Sequence, residues 1–458
     1  MPATPGGTRM PGLIGEDAFA AVAAPALEID GADGVEVLFM HEWAANTRFA
    51  SSQIHQSTAR EDTSLHVRVI RDDRIGVAST NDFSPAGALS AARNALEMTG
   101  VVAADPSFPG LASRADVPSK DGFDEATASA SPSERAAAVA EVIASCGKGM
   151  HAAGAYETTA MELGIANTQG QQCWSPITQA QLNAVVTGPD GGSGFAESIT
   201  PRVEVVDPGE LGATAAAKAA ASTNPRPIDP GTYEVILEPA ASSTLLEFLG
   251  YLGFGGKGLL EGESCLAGKQ DQRVAAESIT IFDDATDPRT VGAPFDFEGV
   301  PKRRVDLIRE GTFLGGVYDM RTAKRAGTTT TGHGLPAPNP EGPFPLNLFL
   351  EPGDASVDDM IAATGRGLLI TRFHYTNVVH PIESTITGMT RDGTFLIEDG
   401  AIVGPVHNLR FTQSVIGALS DVSMVGNEPA LASEFFFAAS CVPALKIDRF
   451  TFSSASDH

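Results

Sequence analysis

The densest run of reactive side chains is Arg372-Phe373-His374-Tyr375-Thr376-Asn377-Val378-Val379-His380-Pro381-Ile382-Glu383, with two imidazoles and a carboxylate in the ten residues from His374 to Glu383. Such a trio supplies metal ligands or a general base when its members converge. Six-residue spacing puts both rings on one face only in an unbroken strand, and Asn377 argues against one. Ordinary loop histidines are the simpler reading. His41-Glu42 is the one His-Glu pair. A zinc helix needs a second imidazole on the same face, so that both reach one ion while the Glu activates its water. Positions 45 and 46 are Ala45 and Asn46, so the pair reads as solvated at a strand end.

Other motifs are partial. Gly253-Phe254-Gly255-Gly256-Lys257-Gly258 lacks the spacing and the hydroxyl of a phosphate loop, and it follows a helical stretch at 245–252. It reads as a glycine cluster ending that helix. Asp283-Asp284, Asp296-x-Glu298 and Asp358-Asp359 pair carboxylates as acid–base chemistry does. Their turn and cap contexts favour local hydrogen bonding instead. Cys146, Cys173, Cys265 and Cys441 lie far apart with no Cys-x-x-Cys pair, as isolated buried thiols do. No Rossmann fingerprint or Gly-x-Ser-x-Gly elbow occurs. These patterns leave no complete metal or nucleophile set in the chain.

The scaffold around them is that of a soluble globular protein, with 42% apolar and 19% charged residues. At 458 residues, two domains or three are expected. A net charge of −26, from 57 acids against 31 bases, repels phosphate backbones and argues against nucleic-acid binding. No stretch is apolar enough to span a membrane. Met1 to Gly12 lacks a signal-peptide core and reads as a frayed tail, so a cytoplasmic protein is expected.

Val35 to Phe39, Leu65 to Val69 and Ile75 to Ala78 alternate as strands, the last two forming a hairpin around Asp72-Asp73-Arg74. Ser84-Pro85 opens a helix with Leu89, Ala92, Ala95 and Leu96 on one face, and 101–129 reads as a long connection. Ser131-Pro132-Ser133-Glu134 is a capping box, its hydroxyl and carboxylate each satisfying an orphan amide. Strands at 155–166 and 178–186 and a helix at 208–221 follow. Asn224 to Gly231 holds three prolines and reads as a linker. Beyond it lie strands at 233–237, 304–308, 367–375, 394–398 and 443–452, with Asp392-Gly393 and Asp399-Gly400 as turns. A capped helix spans Ser356 to Thr364, and the Gly- and Pro-rich loop 328–345 is expected to be mobile. The fold class is α+β. The divisions are a flexible tail and lead-in (1–34), an N-terminal α+β domain (35–223, in parts of about 35–100 and 131–223), a linker (224–231) and a β-rich C-terminal domain (232–458).

Ser264-Cys265-Leu266-Ala267-Gly268-Lys269, Ile279 to Asp284, and Phe295-Asp296-Phe297-Glu298-Gly299-Val300-Pro301 resemble the TldD/PmbA family. Ala323-Lys324-Arg325, Asn347 to Gly353 and Phe395 to Gly400 continue the likeness, with looser matches through Thr47 to Ala50 and Ile165 to Thr168. The resemblance covers about residue 35 to the end and implies an α+β fold with a β-rich C-terminal domain. It also implies paired subunits that form a metallopeptidase. One subunit type binds zinc through a His-Glu-x-x-x-His helix and a distant Cys, and the other, PmbA- or TldE-like, lacks those ligands. Where that helix would lie, this chain reads Ser243 to Leu252 with no His, and Cys441 has no clear match to the ligand Cys. The resemblance thus implies a TldE-like subunit with no metal or catalytic residue of its own. It would bind extended peptide or a peptide-linked metabolite beside a zinc-bearing, TldD-like partner, as a heterodimer or higher heteromer. An autonomous hydrolase using His374, His380 and Glu383, and a non-catalytic scaffold or adaptor, are the alternatives.

Overall fold

The computed structural model describes residues 12–433 and 439–455. In the N-terminal half, β1 (Gly34–Ala50), β2 (Gln53–Arg71), β3 (Arg74–Thr80), β4 (His151–Asn167), β5 (Gln172–Thr187) and β6 (Ser193–Thr200) form one antiparallel sheet in the order β3-β2-β1-β4-β5-β6. Alternation sorts its two faces. Val35, Val37 and Phe39 of β1 meet α1 (Glu16–Leu27) and α2 (Pro85–Thr99). Phe49, Tyr156 and Leu182 meet α4 (Pro132–Ala144) and α5 (Pro208–Ala221), while the short α3 (Glu125–Ser129) interrupts the long connection. Leu38 and Ile165 point the other way, towards Ala293 and Phe295 of the C-terminal half.

The expected strands are present, and β1 and β2 run far past the alternating runs into 40–64. There the polar side chains of β2 are exposed and leave no hydrophobic period to read. The lead-in is corrected too. It carries α1, whose Phe19 is fully buried and stacks on Phe39 at 5.2 Å. Most of the expected frayed tail lies outside the described residues. The capping box is formed as read, with Ser131 Oγ accepting from the Glu134 amide at 3.2 Å and Glu134 from the Ser131 amide at 2.6 Å.

After the proline-rich connection the chain enters β7 (Gly231–Leu237), α6 (Pro239–Gly253) and α7 (Gly256–Glu261). A small sheet runs β10-β9-β8-β11-β18-β17, from β8 (Ile281–Asp283), β9 (Val305–Arg309), β10 (Thr312–Phe313), β11 (Leu348–Leu350), β17 (Ala430–Ala432) and β18 (Ser440–Val442). The larger sheet contains β12 (Arg366–His380), β13 (Thr385–Glu398), β14 (Ala401–Pro405), β15 (Leu409–Ser414), β16 (Val422–Val425) and β19 (Leu445–Ala455). Pairing runs β7-β12-β13-β15-β19 and back to β7, so five strands close on themselves as a barrel. Phe373, Phe411 and Phe450 cluster in its core, and α10 (Val415–Ser420) contacts α6. Ile236, Leu369 and Ile397 face outward against Met360 of α9 (Val357–Ala362), capped by Ser356 and Asp359 as read. The short α8 (Met320–Ala326) completes the half.

Asp399-Gly400 makes the β13–β14 hairpin turn with both φ angles positive. Asp392-Gly393, expected as another turn, lies inside β13. The same positive-φ preference there makes an irregularity opposite Ile370 and Arg372, and Arg372 Nε donates to Asp392 at 2.8 Å. Loop 328–345, expected to be mobile, is anchored at its centre: His333 is 1% exposed, and the Gly334 amide donates to Asp296. No helix among the described residues is long and apolar enough to cross a membrane.

Candidate functional site

Between the helix-free face of the N-terminal sheet and the loops of the C-terminal half lies a cleft of about 340 Å³. Strand register builds its floor: Asp62 of β2 sits opposite Glu42 of β1, which sits opposite Met161 of β4, which sits opposite Ile177 of β5. The next row is Ser64, Met40 and Leu163. Val291, Ala293, Phe295 and Phe297 form the facing wall. Asn347 and Lys302 also line the cleft, and the close approach of Asn347 depends on Gly292, where an added Cβ would stand 2.7 Å from Asn347 Nδ2.

Next to Lys302 and Asn347, Asp283 accepts from His333 Nε2 at 2.9 Å through one oxygen and from the Asn347 amide at 2.7 Å through the other. The Asp283 acceptor puts a proton on Nε2, and Nδ1 lies 2.9 Å from the Thr331 hydroxyl and 3.0 Å from the Thr331 carbonyl oxygen. Burial outweighs the carboxylate's pull and holds His333 below the usual imidazole range. Burial pushes Asp283 up; the His333 bond, Lys302 and the Asn347 amide outweigh it and hold Asp283 low. Lys120 donates to Ala285 O at 2.6 Å and to Thr290 O and Oγ1 at 3.0 Å; burial and nearby Lys302 bring it down to about 8.

A second buried cluster joins the halves. Arg68 lies 2.8 Å from Glu36 and 3.6 Å from Glu298, all three under 10% exposed. Asp296 accepts amides from Glu298, Val300 and Gly334, and Glu298 accepts the Met320 amide at 3.0 Å. Burial raises Glu36, Asp296 and Glu298; repulsion by Glu298 adds to it at Glu36 and Asp296, and repulsion by Asp319 adds to it at Glu298. One guanidinium cannot neutralise three carboxylates, so this cluster holds protons at a pH where exposed acids have none.

The candidate trio is spread along one hairpin. His374 is half-buried, His380 and Glu383 are exposed, and the β12–β13 register shifts after His374 and again before His380. The Glu383 amide donates to His380 Nδ1 at 3.3 Å. Among the described residues no three His, Cys, Asp or Glu side chains are grouped to hold a metal ion. His41 is corrected from a solvated strand end: it is 5% exposed, in the middle of β1, with Nδ1 2.8 Å from Thr63 Oγ1. Of the paired acids, Asp284 holds the Thr286 amide and Asp359 caps α9, both local uses; Asp283, Asp296 and Glu298 instead bind partners far away in sequence. The four thiols are unpaired, and burial raises Cys265 and Cys441 to about 11.

Helix α6 is packed on nearly every side between the barrel and the small sheet. Matching His-Glu-x-x-x-His on its one acid, Glu247, puts Leu246 and Tyr251 at the imidazole positions. Leu246 is 1% exposed in the hydrophobic core and Tyr251 is 53% exposed, so neither provides a nitrogen donor for zinc. These residues do not fit that ion. Lys120, Lys302, His333 and Asn347 escaped the sequence reading. The one local hint was the Gly332-His333-Gly334 triplet, an imidazole between residues that permit close packing.

The family described as PmbA/TldA metallopeptidase C-terminal domain matches residues 230–454, and PmbA/TldA metallopeptidase domain 1 matches residues 35–99. A metalloprotease of Methanothermobacter thermautotrophicus is 26% identical over 395 residues, covering 81% of this chain and 83% of that one. Metalloprotease PmbA of Escherichia coli O157:H7 is 23% identical over 437 residues, 91% of this chain and 92% of its own. The crystal structure of TldE from Thermococcus kodakarensis superposes with a TM-score of 0.87 at 22% identity, covering 95% of this chain and all of that one. A Thermotoga maritima protein described as a putative modulator of a DNA gyrase gives 0.84 at 20% identity, over 95% and 99% of the two chains.

Proposed function

The chain belongs to the TldD/PmbA family, and from that premise we propose that it is the TldE-like subunit of a heteromeric metallopeptidase. In this reading it shapes the chamber and holds extended peptide, while a TldD-like partner supplies zinc. The observation that carries the reading is α6. Leu246 and Tyr251 stand where the zinc-binding type has imidazoles, and the leucine is sealed into the core. Zinc needs nitrogen, sulfur or charged oxygen donors at about 2.0–2.3 Å, and an aliphatic side chain provides none.

The seam cleft supports the peptide-holding role. Its apolar floor and wall suit side chains, while Glu42, Asp62, Asn347 and Lys302 provide polar ends. The exposed outer stretch of β2 beside it is flanked by β1 alone past Leu65, an edge where extended chain can add. Four unpaired thiols support a reducing, cytoplasmic compartment.

Affinity purification of the tagged chain tests this reading. It should bring down a chain bearing His-Glu-x-x-x-His, and only the pair should cleave peptide in a zinc-dependent way. Peptide cleavage by the isolated chain with stoichiometric zinc would overturn it, and loss of that activity on substituting His374 and His380 would favour the autonomous hydrolase.

A further inference from the structure

Lys302 is 5% exposed, and its ammonium has a single hydrogen-bond acceptor among the described residues, Asn347 Oδ1 at 3.4 Å. Burying an ammonium is costly unless its charge and its N–H groups are matched. The charge is matched at a distance by Asp283, which Lys302 helps to hold ionised. The N–H groups are not matched: the Asp283 oxygens bind His333 and the Asn347 amide, and no hydrogen bond or ion pair within 4.0 Å joins Lys302 to Asp283. Lys120 is nearby and spends its own donors on Ala285 and Thr290, so it adds positive potential and no acceptor. Lys302 and Asn347 line one end of the seam cleft beside Phe295 and Phe297, and the acids Glu42 and Asp62 line its floor with Met161 and Ile177. Positive charge with unfilled donors beside an apolar trough is complementary to a carboxylate on an apolar chain.

We infer that Lys302 and Asn347 form a carboxylate-binding subsite, and that the cleft takes a short apolar peptide segment by its carboxylate. This rests on the peptide-holding reading above and narrows it to a ligand class. At about 340 Å³ the cleft is at the small end of the ~300–1,000 Å³ of ligand pockets, which suits one or two residues. The carboxylate is either the chain terminus or an acidic side chain, and both offer the same oxygens.

Calorimetry on the full chain with three probes tests the inference: N-acetyl-Leu-Leu as the free acid, the same peptide as its C-terminal amide, and N-acetyl-Leu-Asp amide. The acid should bind at least tenfold more tightly than the Leu-Leu amide. Asp amide matching the acid assigns the subsite to side chains as well, and Asp amide matching the Leu-Leu amide restricts it to termini. Lys302→Met should bring acid and amide to equal affinity. Equal binding of the acid and the Leu-Leu amide by the unsubstituted chain overturns the subsite without relying on any variant to fold. So does an acid preference that persists in a folded Lys302→Met. Partner capture on the same preparation separates the two ideas: a chain that prefers acid but captures no metal-bearing partner overturns the subunit reading alone.

Discussion

Helix α6 and the seam between the two halves are both buried, and they are buried by opposite chemistry. Along α6, Leu245, Leu246, Phe248 and Leu249 lie in one hydrophobic core, each side chain contributing on the order of 1.5–3 kcal/mol by leaving water. Across the seam, Arg68 meets Glu298, Gln171 donates to Gly299 O at 2.6 Å, Lys120 reaches Ala285 and Thr290, and Arg321 pairs with Asp105. Apolar packing needs no fixed orientation, whereas a buried ion pair contributes little net stability and imposes strict geometry. The helix is therefore built for stability, and the seam is built to hold one arrangement of the two halves around the cleft.

That contrast predicts its largest effect at the seam's centre. Arg68→Met leaves Glu36 and Glu298 buried without their cation, and urea unfolding should show a loss of about 3–5 kcal/mol. Adding Glu36→Gln and Glu298→Gln should recover much of it, because the penalty comes from stranded charge. A loss under about 1 kcal/mol for the single variant would mean that the seam is wetter than its burial indicates. On the helix, Leu249→Ala should cost roughly 2–5 kcal/mol through lost burial and a cavity. No companion substitution of charge should restore it. Recovery at Arg68 without recovery at Leu249 is the pattern that separates the two kinds of interior.

The same contrast separates what the sequence shows from what it conceals. Caps, prolines and alternation act over a few residues, so the Ser131 box, the helix at 208–221 and the strand after Gly231 are legible. The outer part of β2 is not, since its side chains meet solvent on both faces and carry no period. Asp392-Gly393 shows a second kind of ambiguity: a positive φ serves a bulge as well as a turn, and only the partner strand decides. The seam is the least legible of all. Asp283 and His333 are separated by 50 positions, Lys302 and Asn347 by 45, and their carboxylate, imidazole, ammonium and amide acquire meaning only when the loops pack together. For the same reason the acid pairs at 283–284 and 296–298 read as turns, which describes Asp284 and only part of Asp296.

A further seam prediction concerns pH. Glu197 of β6 accepts from the Gln181 side chain at 3.3 Å and the Ser433 amide at 3.4 Å, and burial raises it to about 7. Its carboxyl keeps a proton in the native state where the unfolded chain has released it. It therefore favours folding below about pH 4.5, and that support is lost as pH rises towards 7. Glu197→Gln keeps the neutral shape at every pH, so its stability relative to the unsubstituted chain should be lowest below about pH 4.5, should rise between about pH 4.5 and 7, and should reach a plateau above that. A difference independent of pH between 5 and 8 would remove the buried acid from the account of the seam.

The smallest effect is expected where neither interior is touched. Ser131 and Glu134 form an exposed capping box on α4, far from both the α6 core and the charged seam. Ser131→Ala removes one amide acceptor and should cost about 1 kcal/mol in urea unfolding. That cost should be the same at pH 5 and pH 8, and it should leave the preference for acid over amide peptide unchanged. A change in ligand preference from this variant would show that helix α4 and the cleft share a conformational equilibrium, which the rigid packing of Val139 and Val142 against the sheet argues against.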